Sequence, residues 1–339
     1  MEVPSRLLKL LVFIVLSSVS LFLVLHFTVN EQTKEAVRGL KANYLLLLCL
    51  VWLLILTMDA LAILFLTKGT DENLKTFSSY KIATLRIFFN VITPFSFGGQ
   101  PMMIYTLKKE GVSAGKGSSI VVTKLMLNTI TTLFGATIAF IFFRDKITET
   151  PAIDAILFIG GILGVTVIVV IIAGLLSPYF IIKLVTDFGK LLHKLKFIKI
   201  QRHFRSKVIH EAWFARRSFK RYFGRHFLFF LAATVCCVLW YFLQLLLLWL
   251  ILTTLGVKSN FAEGMAVSAL LLFIISFLPT PGAAGLGEAI FVIIYAGLVP
   301  KFLLGISVVL WRIFYQYISS LLGALSSAKY LSDLVIKEK

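Results

Sequence analysis

Long apolar runs dominate the chain and have the length of membrane-spanning helices. A helix needs about 20 mainly apolar residues to cross a hydrocarbon core of roughly 30 Å. Six segments meet this requirement, and we therefore predict six transmembrane helices. They lie at residues 7–29, 44–66, 118–143, 153–176, 227–255 and 302–331.

Two further apolar segments, 80–107 and 261–298, are interrupted near their middles by Pro and Gly. Backbone groups freed by such a break are costly in hydrocarbon unless protein, water or a ligand satisfies them. Each break therefore indicates either a cavity or a kink packed between helices. We predict two re-entrant hairpins of broken helices, whose free N–H groups and positive helix ends favour an anion. The defining residues are Pro94, Gly98, Gly99 and Pro101 in the first break, and Pro279, Pro281, Gly282, Gly285 and Gly287 in the second.

Composition supports a membrane protein. Of the 339 residues, 59% are hydrophobic and 15% are charged, whereas soluble domains are about half apolar and about a quarter charged. The net charge of +18 raises nucleic-acid binding as an alternative, but most of this net charge lies in one segment between apolar spans. The predicted fold class is therefore an all-α polytopic membrane protein without a nucleic-acid partner.

Lys and Arg are concentrated in the loop 177–226, which holds thirteen of them against two acids. Such loops stay in the cytoplasm, which places both termini there as well. If each broken segment enters and leaves on one side, the first opens toward the cytoplasm and the second toward the outside. We therefore predict one transmembrane domain, 1–339, with inverted repeats at 44–176 and 227–332. Aromatic residues among the loop cations leave open whether the loop also binds lipid or only sets the topology.

Polar residues near the breaks are candidates for a binding site, because charges at membrane depth usually face a cavity or a partner. Three cation–amide pairs have the spacing i, i+4, which places each pair on one helix face. The pairs are Arg86 with Asn90, Lys124 with Asn128, and Arg312 with Gln316. The three cations outnumber the two acids, Asp59 and Glu288, which favours an anionic ligand such as a lipid phosphate. Structural ion pairs, or snorkelling of Lys124 toward the interface, are the alternatives. The predicted substrate-binding residues are Arg86, Asn90, Gln100, Lys124, Asn128, Glu288, Arg312 and Gln316, with Asp59 and Glu288 as counter-charges or proton carriers.

The residues of both breaks resemble a known family. Residues 90–101 read NVITPFSFGGQP, residues 278–288 read LPTPGAAGLGE, and Trp311 and Arg312 follow in the last span. This combination is similar to the lysylphosphatidylglycerol synthase transmembrane region family, which includes the membrane part of the bacterial multiple peptide resistance factor. The resemblance covers nearly the whole chain. It implies a flippase-like helical fold that moves an aminoacylated or other anionic phospholipid between leaflets.

The chain departs from the family pattern at three positions. Many members have an arginine, with an acid one turn later, where this chain has Lys124 and Asn128. A salt bridge between those two positions is therefore not expected here. Some members have Glu in place of Gln100, so this chain lacks one proton carrier.

The sequence thus predicts a lipid flippase-like transporter in the cytoplasmic (inner) membrane of a prokaryote, with membrane phospholipid as its partner and no cofactor. The alternatives are a non-transporting, lipid-binding subunit of a lipid-modifying enzyme and an intramembrane transferase of the lysylphosphatidylglycerol synthase type. We expect no enzyme activity, because the 339 residues hold no recognisable aminoacyl-transferase domain, catalytic triad or metal-ligand spacing. A cytoplasmic lipid-modifying enzyme and a second copy of the chain are partners that the sequence leaves open.

Overall fold

The computed structural model describes residues 31–147 and 221–336, apart from residue 223, and scattered helical positions between 158 and 173. Within these residues the chain is helical and contains no strand. The predicted span 7–29 lies outside the described residues, as do most of the span 153–176 and most of the basic loop 177–226.

The helices form two series, which we number α1 to α10. The first series is α1 (Glu31–Arg38), α2 (Ala42–Lys68), α3 (Thr76–Val91), α4 (Gly99–Lys109) and α5 (Ala114–Ile147). The second series is α6 (Phe227–Thr254), α7 (Phe261–Ile275), α8 (Leu286–Tyr295), α9 (Lys301–Arg312) and α10 (Ile318–Ile336). One π-helical turn, Ile313–Tyr317, joins α9 to α10 without interrupting the rod.

Four units are long and apolar enough to cross a membrane: α2, α5, α6 and the continuous rod Lys301–Ser327. They coincide with four of the six predicted spans. The chain is therefore a multi-pass membrane protein, and its helical class is confirmed for the described residues.

Both interrupted segments fold as two short helices joined by a tight turn. In the first turn, Pro94 is followed by Phe95 and Ser96, each with a φ of 54°. In the second turn, Pro281 is followed by two residues, each with a φ of 56°. These left-handed conformations are unfavourable for residues with a Cβ, so contacts with the surroundings must hold the turns.

Each pair of short helices also folds back on itself as a hairpin. At the open end of the first hairpin, Oγ of Ser78 donates a hydrogen bond to Glu110, just beyond the end of α4. In the second hairpin, the hydroxyls of Ser268 on α7 and Tyr295 at the end of α8 are 2.9 Å apart. The two turns therefore lie at the closed ends of two hairpins.

The second series repeats the order of the first. α6, α7, α8 and α9 begin 185 to 187 residues after α2, α3, α4 and α5, respectively. Helices of one series pack mainly on helices of the other. α5 packs on α7, α10 packs on α3, and α2 packs on α6. This packing brings the two turns into contact. The inverted repeats at 44–176 and 227–332 stay a prediction.

Aromatic packing fixes the second turn. Trp311, at 0% exposure, stacks on Phe291 of α8 with ring centroids 5.2 Å apart. Phe291 in turn stacks on Tyr295 at 4.4 Å. Since Arg312 follows Trp311 directly, this stack sets the position from which the arginine reaches the second turn.

Candidate functional site

Three charged side chains from three helices meet in the first half of the molecule. Nη2 of Arg86, on α3, is 2.8 Å from Oδ2 of Asp59 on α2. Nζ of Lys124, on α5, is 2.7 Å from the other oxygen, Oδ1. The exposed fractions are 1% for Asp59, 8% for Arg86 and 3% for Lys124. We call this group the three-charge cluster. One carboxylate bridges two buried cations, and the cluster carries a net charge of +1.

The position of Lys124 excludes one of the alternatives that the sequence left open, which is snorkelling. Its ammonium group points into the protein and lies 5.8 Å from the ring centroid of Trp240 on α6. It does not snorkel to the interface. Lys124 forms an ion pair with Asp59 on α2, and its predicted substrate-binding role stays a prediction. Trp240 carries no motif or charge that could have drawn attention to it in the sequence.

In the first half of the molecule, two polar atoms of the site are buried with neither a hydrogen-bond partner nor an ion-pair partner among the described residues. They are Nε of Arg86 and Oδ1 of Asn128, which lies one turn beyond Lys124 on α5. Such atoms cost free energy when no partner compensates for their lost hydration. Their place beside a cation cluster is typical of a site that binds a polar ligand.

The first turn is held by the side chains of Asn90, on α3, and of Thr93, two residues beyond the end of that helix. Oδ1 of Asn90 accepts a hydrogen bond from the N–H of Gly99 at 2.9 Å. Oγ1 of Thr93 accepts from the N–H of Gly98 at 2.8 Å and donates to the carbonyl of Phe89. The start of α4 is therefore capped from α3. A Cβ at Gly99 would collide with Oδ1 of Asn90, so this position requires glycine.

Asn90 thus has an intramolecular role in addition to its predicted place in the substrate site. Thr93 was not among the predicted site residues. Its position directly before Pro94 was the available signal, since Thr favours caps and turns.

Arg312 and Glu288 form a second buried pair, and each is 1% exposed. Nη2 of Arg312 is 2.8 Å from Oε2 of Glu288. The guanidinium also donates to the carbonyls of Gly282 and Ala283, each at 2.9 Å. Gln316 accepts from Arg312 and donates to Gly282 at 3.2 Å. This group, which we call the turn lock, has no net charge and ties α8, α9 and the π-helical turn to the second turn.

Space around the turn lock is tight. A Cβ at Gly287 would lie 2.7 Å from Nη2 of Arg312. The glycine lets the guanidinium approach the backbone of α8. Most N–H donors of Arg312 are therefore used within the chain, and its predicted substrate-binding role stays a prediction.

The two turns touch each other. The N–H of Phe95 donates to the carbonyl of Pro279 at 3.4 Å, a weak bond that joins the first turn to the second. In addition, α3, which carries Arg86, contacts the second turn, and α2, which carries Asp59, contacts the π-helical turn. The three-charge cluster and the turn lock therefore belong to one polar interior, and π-helical turns are frequent at such sites.

Gln100 lies half-buried in the first turn of α4. Its substrate-binding role, like that of the other predicted residues, stays a prediction. Among the described residues no group of three His, Cys, Asp or Glu side chains is placed to hold a metal ion.

Two comparisons with known proteins agree with this architecture. A family model described as "Lysylphosphatidylglycerol synthase TM region" matches residues 6–323. A protein of Archaeoglobus fulgidus described as "UPF0104 membrane protein" is 25% identical over 331 residues, covering 90% of this chain and 92% of that relative.

Proposed function

Because the chain belongs to the lysylphosphatidylglycerol synthase transmembrane region family, we propose that it is a flippase-like transporter that moves an anionic phospholipid between leaflets. The two hairpins would open toward opposite sides of the cytoplasmic membrane, with both termini in the cytoplasm. Ligand sites between broken helices of inverted repeats are typical of secondary transporters.

The observation that carries the proposal is the uncompensated positive charge of the three-charge cluster. A buried charge without a partner is costly, and an anionic ligand would compensate for it. The phosphate of a phospholipid supplies such an anion at the end of two acyl chains that stay in the bilayer. Because the two turns are in contact, both hairpins could act on the same lipid headgroup.

Asp59 and Glu288 serve as counter-charges in this proposal. Each contacts a cation at 2.8 Å or less. Asp59 keeps two cations together, whereas Glu288 neutralises Arg312. The headgroup would therefore meet a net charge in the first half of the molecule and a neutral, hydrogen-bonded frame in the second.

Leaflet exchange in liposomes tests the function. The purified full chain is reconstituted with a headgroup-labelled acidic phospholipid, and an impermeant quencher reports how much label reaches the outer leaflet. We expect exchange well above that of protein-free liposomes. Lys124→Gln should reduce it at least tenfold, because the Asp59–Arg86 pair that remains is neutral. Lys68→Gln, the same change at an exposed position at the end of α2, should exchange lipid like the unchanged protein.

The other outcomes identify the alternatives. Folded protein that exchanges no lipid by itself would overturn the transporter and favour the lipid-binding subunit of an enzyme. A chemically altered phospholipid, detected by mass spectrometry after incubation with the protein and an aminoacyl donor, would favour the transferase.

A further inference from the structure

The charge of the three-charge cluster specifies the charge of its ligand. Asp59 balances one of the two cations, and one positive charge remains. The neighbouring turn lock cannot supply the balance, because Glu288 is paired with Arg312 at 2.8 Å. Within the described residues, a ligand with one negative charge would bring the interior to neutrality.

The donors of the cluster also match a particular chemical group. Nε of Arg86 is buried and has no hydrogen-bond partner among the described residues, while its Nη2 is held by Asp59. An ammonium group has three N–H donors, and that of Lys124 has one carboxylate oxygen within 2.7 Å. Donors therefore remain on both cations. A phosphodiester has two non-bridging oxygens that share one negative charge, so it can accept from both.

We propose that the three-charge cluster binds one monoanionic phosphodiester, and that Asp59 sets this preference by cancelling one of the two cationic charges. This inference rests on the proposed function, since the phosphodiester is that of the transported phospholipid. Asp59 then acts as a specificity-determining residue. Its carboxylate donates no hydrogen bond to the ligand. It selects the charge of the ligand by lowering the net positive charge of the cluster.

The proposal excludes phosphomonoesters as preferred ligands. A phosphomonoester carries about −1.5 to −2 charges near neutral pH. Binding it would replace a buried excess of one positive charge by a buried excess of negative charge. Salt screens a buried site only little. The difference in net charge should therefore affect the binding affinity more than small differences in ligand shape do.

Thermal stabilisation by added lipid tests the proposal without any transport. The full chain is studied in micelles of a neutral sugar detergent at about pH 8, where a phosphomonoester is fully ionised. The probes are phosphatidylglycerol, a monoanionic diester, phosphatidate, a dianionic monoester, and diacylglycerol, which has no phosphate. A ligand that binds the folded state raises the melting temperature, so the half-stabilising concentration of each lipid reports its affinity.

We expect the unchanged protein to prefer phosphatidylglycerol over phosphatidate about tenfold, and diacylglycerol to give no stabilisation. Asp59→Asn leaves two cationic charges and should reverse this preference. Lys124→Gln leaves a neutral pair and should weaken both phospholipids about tenfold, which corresponds to the loss of one charge-assisted contact. Lys124→Arg keeps the charge and should restore the original preference.

The ratio of the two affinities is the decisive quantity, because it is measured within one protein and does not depend on how stable that protein is. An unchanged ratio in Asp59→Asn would overturn the proposal and leave Asp59 a purely structural role. So would a preference for phosphatidate in the unchanged protein. If Lys124→Gln fails to fold, the ratio in Asp59→Asn decides alone.

This test and the liposome test fail separately. The expected preferences in a protein that exchanges no lipid would keep the site and remove the transporter. Lipid exchange without the expected preferences would keep the transporter and place its headgroup site elsewhere.

Discussion

At the scale of residues, the two halves use their buried charges differently. In the second half, Arg312 is neutralised by Glu288 and hydrogen-bonds the carbonyls of the turn. In the first half, the corresponding Lys124 contacts a carboxylate on another helix, and the turn is capped by Asn90 and Thr93 without help from a cation. Cations at similar places in the two series thus have different partners, and we propose a binding role only for the cluster in the first half.

The structural role of Arg312 predicts a large loss of stability in Arg312→Gln. The change leaves the carboxylate of Glu288 buried without its cation, and breaking a buried pair from one side costs about 3–5 kcal/mol. Denaturation of the purified protein in mixed micelles measures the free energy of unfolding.

The double variant Arg312→Gln/Glu288→Gln separates charge from packing. It should recover part of the loss, because neither charge remains buried alone. Lys68→Gln is the exposed control and should unfold like the unchanged protein. A single variant as stable as the unchanged protein would contradict the role of the turn lock.

At the scale of elements, the close approach of α3 and α10 joins the two halves. A Cβ at Gly323 would collide with the backbone carbonyl of Thr84 and would lie 2.7 Å from Cβ of Phe88. Backbone groups of α3 cannot move aside as a flexible side chain would. Since α3 carries Arg86 and Asn90, the spacing of these helices also sets the geometry of the site.

Gly323→Ala should therefore force α10 away from α3 and destabilise the protein by about 1–3 kcal/mol, the usual cost of overpacking. Gly117→Ala on α5 is the matched control, because its Cβ would meet only ordinary contacts of 3.7 Å or more. It should be neutral or stabilising by up to about 1 kcal/mol, since Ala favours a helix more than Gly does. Equal melting temperatures for the two variants would show that the helices can separate without cost.

Much of this arrangement of elements follows from local sequence signals. Runs of about 20 apolar residues predicted α2, α5, α6 and the α9–α10 rod, and interruptions by Pro and Gly predicted both turns. The partners of the buried charges do not follow from such signals. Asp59 is 27 residues from Arg86 and 65 from Lys124, so their meeting depends on how α2, α3 and α5 pack. Likewise, no residue spacing or motif in the sequence predicts the π-helical turn after Arg312.

At the scale of the whole molecule, the exchanged packing of the two series is what an inverted repeat would produce. α5 packs on the hairpin of the second series, and α10 packs on that of the first. In a membrane, such a repeat places the open ends of the two hairpins on opposite sides. The loop between α4 and α5 would then face the cytoplasm, and the corresponding loop between α8 and α9 would face the outside.

Cysteine labelling in intact cells tests this orientation. Ser113 and Ala296 are exposed positions in the two corresponding loops, and each is replaced by Cys in a variant whose own three cysteines, Cys49, Cys236 and Cys237, are changed to Ser or Ala. A membrane-impermeant maleimide should label Ala296→Cys in intact cells. It should reach Ser113→Cys only after the membrane is opened, because loops flanked by cations, here Lys108, Lys109 and Lys116, stay inside. Labelling of both positions from the same side would exclude oppositely directed hairpins, and with them a transport path that opens first on one face of the membrane and then on the other.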